Sequence, residues 1–198
     1  MAHPRHHSDP LRCPRRPSRP LRLLAALLFG LLLPPAPARA AATPRGAPLE
    51  FEVKAAFLLN FTRFIDWPPA ESPSSSPFTL CILGDDPFGP TLDQTVQGEK
   101  VGVRPLAVHR LGHESPAPGA CQVLYVSRSE SEVKTLLSGL GPGVLTVGEG
   151  ETFTQSGGMI AFVLDNRRIR FVVNLAAARP ALLTLSSRLL AVAKAVEK

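Results

Sequence analysis

No Gly-x-Ser-x-Gly elbow occurs in these 198 residues, which excludes the nucleophile turn of α/β-hydrolases. A phosphate loop of the G-x-x-x-x-G-K-[ST] kind is also missing, and Gly148-Glu149-Gly150-Glu151 is too acidic to cradle a phosphate. No internal repeat is visible. Long apolar runs are confined to one place: Leu23 to Leu33 (LLAALLFGLLL), eleven residues, where a membrane span needs roughly 20. Basic charge is missing from the body of the chain. The formal net charge is +6, but residues 1–42 hold seven of the 22 Lys+Arg and one of the 16 Asp+Glu. The remainder is left with 15 of each sign, so it exerts no global pull on nucleic acid.

The first 40 residues read as a secretory signal peptide. A basic, Pro-rich lead is followed by the short apolar run, by Pro34-Pro35, and by Ala38-Arg39-Ala40, a small-x-small pattern that places the cut after Ala40. Residues 41–49 form a flexible Pro/Gly/Ala lead-in, and residues 50–198 one domain. Cys13 leaves with the leader. Cys81 and Cys121 remain, and an even pair in an exported chain is most simply a disulfide. Two buried free thiols stay open as the alternative, because pairing cannot be read from sequence.

The body alternates between two periodicities. In FEVKAAFLLNFTRFIDWP (51–68), Val53, Phe57, Phe61 and Phe64 recur at spacings of four, four and three, one helical stripe that Leu58, Leu59 and Ile65 widen. Strands are expected over 78–83, 103–109, 121–127, 144–147, 159–164 and 168–173, the last two forming a hairpin around Asp165-Asn166-Arg167. Helices are expected over 88–97, 129–140 and 174–196, with Pro180 kinking or splitting the last, and with Leu182, Leu185, Leu189, Val192 and Val196 as its stripe. The sum is a three-layer α/β domain with a central, mostly parallel sheet of about six strands covered by helices on both faces.

Each candidate site in the sequence has a plainer competing role. Asp85-Asp86 follows a strand, as the metal-binding acids of receiver domains do. Here the third strand ends in Ser127-Arg128 without a carboxylate, and no Lys follows Leu164, so a metal would have too few oxygen ligands. A turn is the better reading, with these acids capping a helix that begins near Pro87. His109 and His113 are four apart but run into Glu114-Ser115-Pro116, so a solvated loop fits better than a zinc helix. Gly157-Gly158 permits a tight turn before a strand, and Asn174 caps a helix. Arg104, Arg168 and Arg170, with Arg188, could gather on one face to grip an anion or a partner; solvated charge is the simpler reading. No catalytic residue, metal site or cofactor emerges.

Six segments, taken together and in order, resemble the YfiR-like family (YfiR/HmsC) of bacterial periplasmic regulators: VKAAFLLNFTRFIDWP (53–68), LCILGDDPFG (80–89), VGVRPLAVHRL (101–111), CQVLYVSRSE (121–130), VLTVGEGETFTQSGGMIAFV (144–163) and IRFVVNLAAARPALLTLSSRLLAVA (169–193). The resemblance implies a non-enzymatic periplasmic protein. It would bind the periplasmic domain of an inner-membrane diguanylate cyclase, hold cyclic di-GMP and biofilm growth down, and be sequestered by an outer-membrane lipoprotein. It leaves a homodimer open. Cys81 and Cys121 match one of the family's two disulfides; no cysteine follows Cys121, so the carry-over is one structural bridge. A small-ligand sensor acting on another membrane signalling protein is the competing expectation.

Overall fold

Near-continuous apolar runs suit strands that are covered on both faces. The computed structural model describes residues 49–69, 76–128 and 130–198; the expected leader, the cut after Ala40 and the lead-in as far as Pro48 lie outside them. The strands are β1 (Ile65–Asp66), β2 (Phe78–Leu83), β3 (Lys100–Val101), β4 (Arg104–Gly112), β5 (Val123–Val126), β6 (Leu145–Glu149), β7 (Ile160–Asp165), β8 (Arg168–Asn174), β9 (Thr184–Leu185) and β10 (Ala195–Glu197). Eight of them form one sheet in the order β10-β8-β7-β6-β5-β2-β4-β3, and β1 pairs with β9 separately. The six expected strands are all present; the large sheet adds the short edge strands β3 and β10, and the β1–β9 pair is a further addition.

Neighbours from β4 through β2, β5 and β6 to β7 are parallel, and β8 returns antiparallel to β7. From β2 the chain steps one way to β4, then the other way through β5, β6 and β7. The winding therefore reverses between β2 and β5, and in open α/β sheets the carboxyl side of such a reversal is where ligand sites form. In the β7–β8 hairpin, Asn166 and Arg167 sit at φ 47° and 61°, the consecutive left-handed pair that a two-residue turn between twisted strands requires.

Helices α1 (Leu49–Phe64), α2 (Pro90–Val96), α5 (Leu175–Ala178) and α6 (Ser187–Val192) contribute to the core on one sheet face, α3 (Val133–Ser138) and α4 (Glu151–Gln155) on the other. The expected stripe of α1 holds in its middle, where Phe61, Leu58 and Ile65 are buried and Phe57 packs on the core, and fails at its ends, where Val53 and Phe64 are each 37 % exposed. Lys54, Ala55 and Thr62 are buried instead. Pairing of Ile65–Asp66 with Leu185 and Thr184 ends the helix ahead of Trp67-Pro68.

The expected terminal helix over 174–196 is divided among α5, β9, α6 and β10. Asn174 caps α5, its side-chain oxygen accepting from the Ala177 N–H at 3.1 Å. Pro180 has no N–H to continue the helix, and Leu182 at φ 57° turns the chain into β9. Ser186 caps α6, and the Lys194 N–H then donates to the Phe171 carbonyl, drawing the last residues into the sheet as β10. Leu182 and Val192 are exposed, so the leucine stripe is not one buried face.

Candidate functional site at the carboxyl ends of the strands

Five charged or polar side chains, from α1, β5, β6 and the turn after β5, meet where β5 and β6 end. α1 carries Lys54 on its buried face, and the ammonium donates to Glu149 Oε1 at 2.6 Å. The two side chains are 2 % and 5 % exposed. Tyr125, on β5, donates its hydroxyl to the same oxygen at 2.6 Å. Arg128, just past β5, pairs with Glu149 Oε2 at 2.9 Å. Glu50, one turn before Lys54, takes a second hydrogen bond from the ammonium. Phe51 lies under Lys54, its ring centroid 4.6 Å from Nζ, and Phe88 meets the Tyr125 ring edge-on at 4.8 Å.

Burial alone would push the Glu149 carboxyl up. The hydrogen bonds from Lys54 and Tyr125 and the charges of Lys54 and Arg128 outweigh it, and the carboxyl titrates below its ordinary value. Burial, then the bond to Glu149, drives the Tyr125 hydroxyl up. Both Glu149 oxygens are engaged and Tyr125 stays neutral, so neither is set to exchange protons near neutral pH. The cluster fastens α1 to the sheet and holds one face of Arg128. Sequence reasoning missed it. The available signal was a lysine at the head of the spacing 54, 58, 61, 65 and a glutamate closing an apolar run.

The acidic pair lies at the winding reversal, where a receiver-type metal would sit. Asp86 Oδ1 accepts from the Phe88 N–H at 2.8 Å, an Asx turn, and Oδ2 pairs with Arg110 at 2.7 Å. Arg110 also bridges to Asp93 at 2.7 Å and to the Gly89 carbonyl at 2.9 Å. A guanidinium thus occupies the place a cation would take. The bond to Asp93 raises the Arg110 pKa, and the same bond lowers that of Asp93. The expected cap is corrected: α2 starts at Pro90 behind Gly89, with no side-chain cap. Asp85 is exposed beside the turn.

Cys81 and Cys121 form a disulfide with Cα atoms 5.7 Å apart, both buried. Gly157 takes the left-handed φ of 99° at the turn before β7. Gly158 has a steric reason: a Cβ there would lie 2.1 Å from the Phe153 ring, and one on Gly148, on the ring's other side, would lie 2.4 Å from it. The arginines are not brought together. Arg104 donates to the Ser76 and Pro77 carbonyls and packs on Phe78, whereas Arg168 and Arg170 lie on β8, with four strands between them and β4. His109 is on β4 rather than in a loop, and His113 pairs with Glu130 at 2.6 Å. Among the described residues, no group of three or more His, Cys, Asp or Glu could hold a metal ion, and no helix is long and apolar enough to cross a membrane.

Residues 51–194 match the family model described as YfiR/HmsC-like. The comparison with curated proteins found no match.

Proposed function

The chain belongs to the YfiR/HmsC-like family, and from that premise we propose that it is a periplasmic signalling regulator, which restrains an inner-membrane diguanylate cyclase by protein–protein contact. The observation that carries this reading is the extent of the match, which spans α1 to the last turn before β10. A small-x-small leader and a disulfide, at home in an oxidising compartment, support export. Restraint through contact asks for a surface of fixed shape. The disulfide and the buried attachment of α1 through Lys54 stiffen the domain in that sense.

Deleting the gene should raise cyclic di-GMP, and restoring the exported protein should lower it again. Capture on the tagged protein from solubilised inner membrane should recover a cyclase or sensor with a periplasmic domain. An unchanged cyclic di-GMP level on deletion sinks the cyclase reading. Recovery of a membrane sensor of another class would redirect it to that sensor.

A further inference from the structure

Arg128 is held at one edge and presented at the other. Lys54 is shared between Glu149 and Glu50, and Arg128 meets the other Glu149 oxygen through one edge of its guanidinium at 2.9 Å. The rest of that side chain is turned outward, 74 % exposed. That exposed side lines a cleft of about 450 Å³ between the turn after β5 and α4. Val126, Val133 and Phe153 supply an apolar wall, and Ser127 and Thr152 bring hydroxyls. Glu130 is also on the lining, but its carboxylate is drawn to His113 Nδ1 at 2.6 Å.

We propose that this cleft binds the carboxylate of a small organic acid, with Arg128 as the anion-binding residue and Glu149 as the residue that positions it. Guanidinium groups present paired N–H donors in a planar fork that matches a carboxylate, and a fork already oriented by a buried acid loses less freedom on binding. An apolar wall with a few convergent polar groups is the usual make-up of a small-molecule site, and carboxyl ends of parallel strands are its usual place. The nearby carboxylates of Glu149 and Glu130 favour a singly charged acid over phosphate. The proposal goes beyond the regulator reading and stands whether or not that reading holds.

The test is a titration of the mature protein with butyrate and benzoate, followed by amide chemical shifts, with butyramide and inorganic phosphate as comparisons. Saturable binding of the acids, with shifts centred on 126–128 and 149–153 and none from butyramide, is expected, with a Kd of about 1 mM or tighter. Arg128→Ala should weaken it at least about tenfold, and Arg128→Lys, which keeps a cation beside Glu149 but loses the planar fork, should also weaken it while holding the thermal midpoint. Glu149→Gln should weaken binding with Arg128 still present, a loss that a merely structural Arg128 would not show. No saturable binding up to about 10 mM, or equal binding by Arg128→Ala, overturns the proposal. So does Arg128→Ala losing a membrane partner while no acid binds, which would make the cleft a docking point for a protein carboxylate. The regulator reading is judged separately, by cyclic di-GMP.

Discussion

Lys54 occupies a place on α1 where its neighbours along the helix face are Ala55, Leu58 and Phe61, all fully buried. A buried ammonium persists only with a partner, and Glu149 provides one across a separation of 95 residues. Removing half of such a pair leaves the other charge buried. Lys54→Met should therefore cost about 3 kcal/mol or more in urea unfolding, and adding Glu149→Gln to it should recover much of that loss. The Glu149 carboxyl titrates below its ordinary 4.5 in the folded protein. Its contribution is accordingly complete above that value and is lost as pH falls through the lowered one. Unfolding free energy measured from pH 6 downward should decline more steeply in the parent than in Glu149→Gln; parallel curves would show that Glu149 is not the group responsible. These residues were not legible in sequence because helical periodicity counts a lysine as outward. The apolar spacing of Val53, Phe57, Phe61 and Phe64 runs beside the buried line of 54, 58, 61 and 65 and shares only Phe61 with it. Asp86 was legible as a turn acid, but Arg110, which seals that turn from β4, was not, since nothing local ties residue 110 to residue 86.

At the scale of elements, the parallel strands could be read directly, because burial on both faces writes itself as an apolar run. Short edge strands carry no such signal. Lys100–Val101 and Ala195–Glu197 join the sheet only because β4 and β8 offer open sides to them. The 3.6-residue spacing of Leu182, Leu185 and Leu189 was genuine, but Pro180 and the left-handed Leu182 divide it between a turn, a strand and a six-residue helix. The β6–α4–β7 unit depends on closeness that sequence does not display: the Phe153 ring lies between Gly148 and Gly158. Gly158→Ala should destabilise by about 2 kcal/mol, an overpacking cost, by thermal or urea unfolding. Phe153→Leu, which withdraws the ring, should restore part of it in the double variant. Unaltered stability in Gly158→Ala would mean that the ring yields freely.

For the whole molecule, the disulfide joins β2 to the residue two before β5, the two strands that flank the winding reversal, and closes a loop that contains α2, β3 and β4. Closing 40 residues of chain should stabilise by about 4 kcal/mol in the chain-entropy model. Adding a reductant should lower the urea midpoint accordingly, and Cys81→Ala/Cys121→Ala should match the reduced parent. Non-reducing mass mapping of the exported protein should recover the 81–121 cross-linked peptide; free thiols there would remove the bridge from the native state. Sheet order, handedness of connections and the layer each helix joins follow from packing the whole chain at once. The sequence could supply the class and the family, but not which neighbours would meet.

The attachment of α1 also settles where that helix stops along the sheet. A buried apolar face is forgiving of translation, since one leucine can replace another a turn away. Here a shift by four residues one way would set Leu58 against the Glu149 carboxylate, and four the other way would set Glu50 against it, acid on acid. Only one longitudinal position of α1 leaves Glu149 answered, so the ion pair acts as a detent in an otherwise slippery contact.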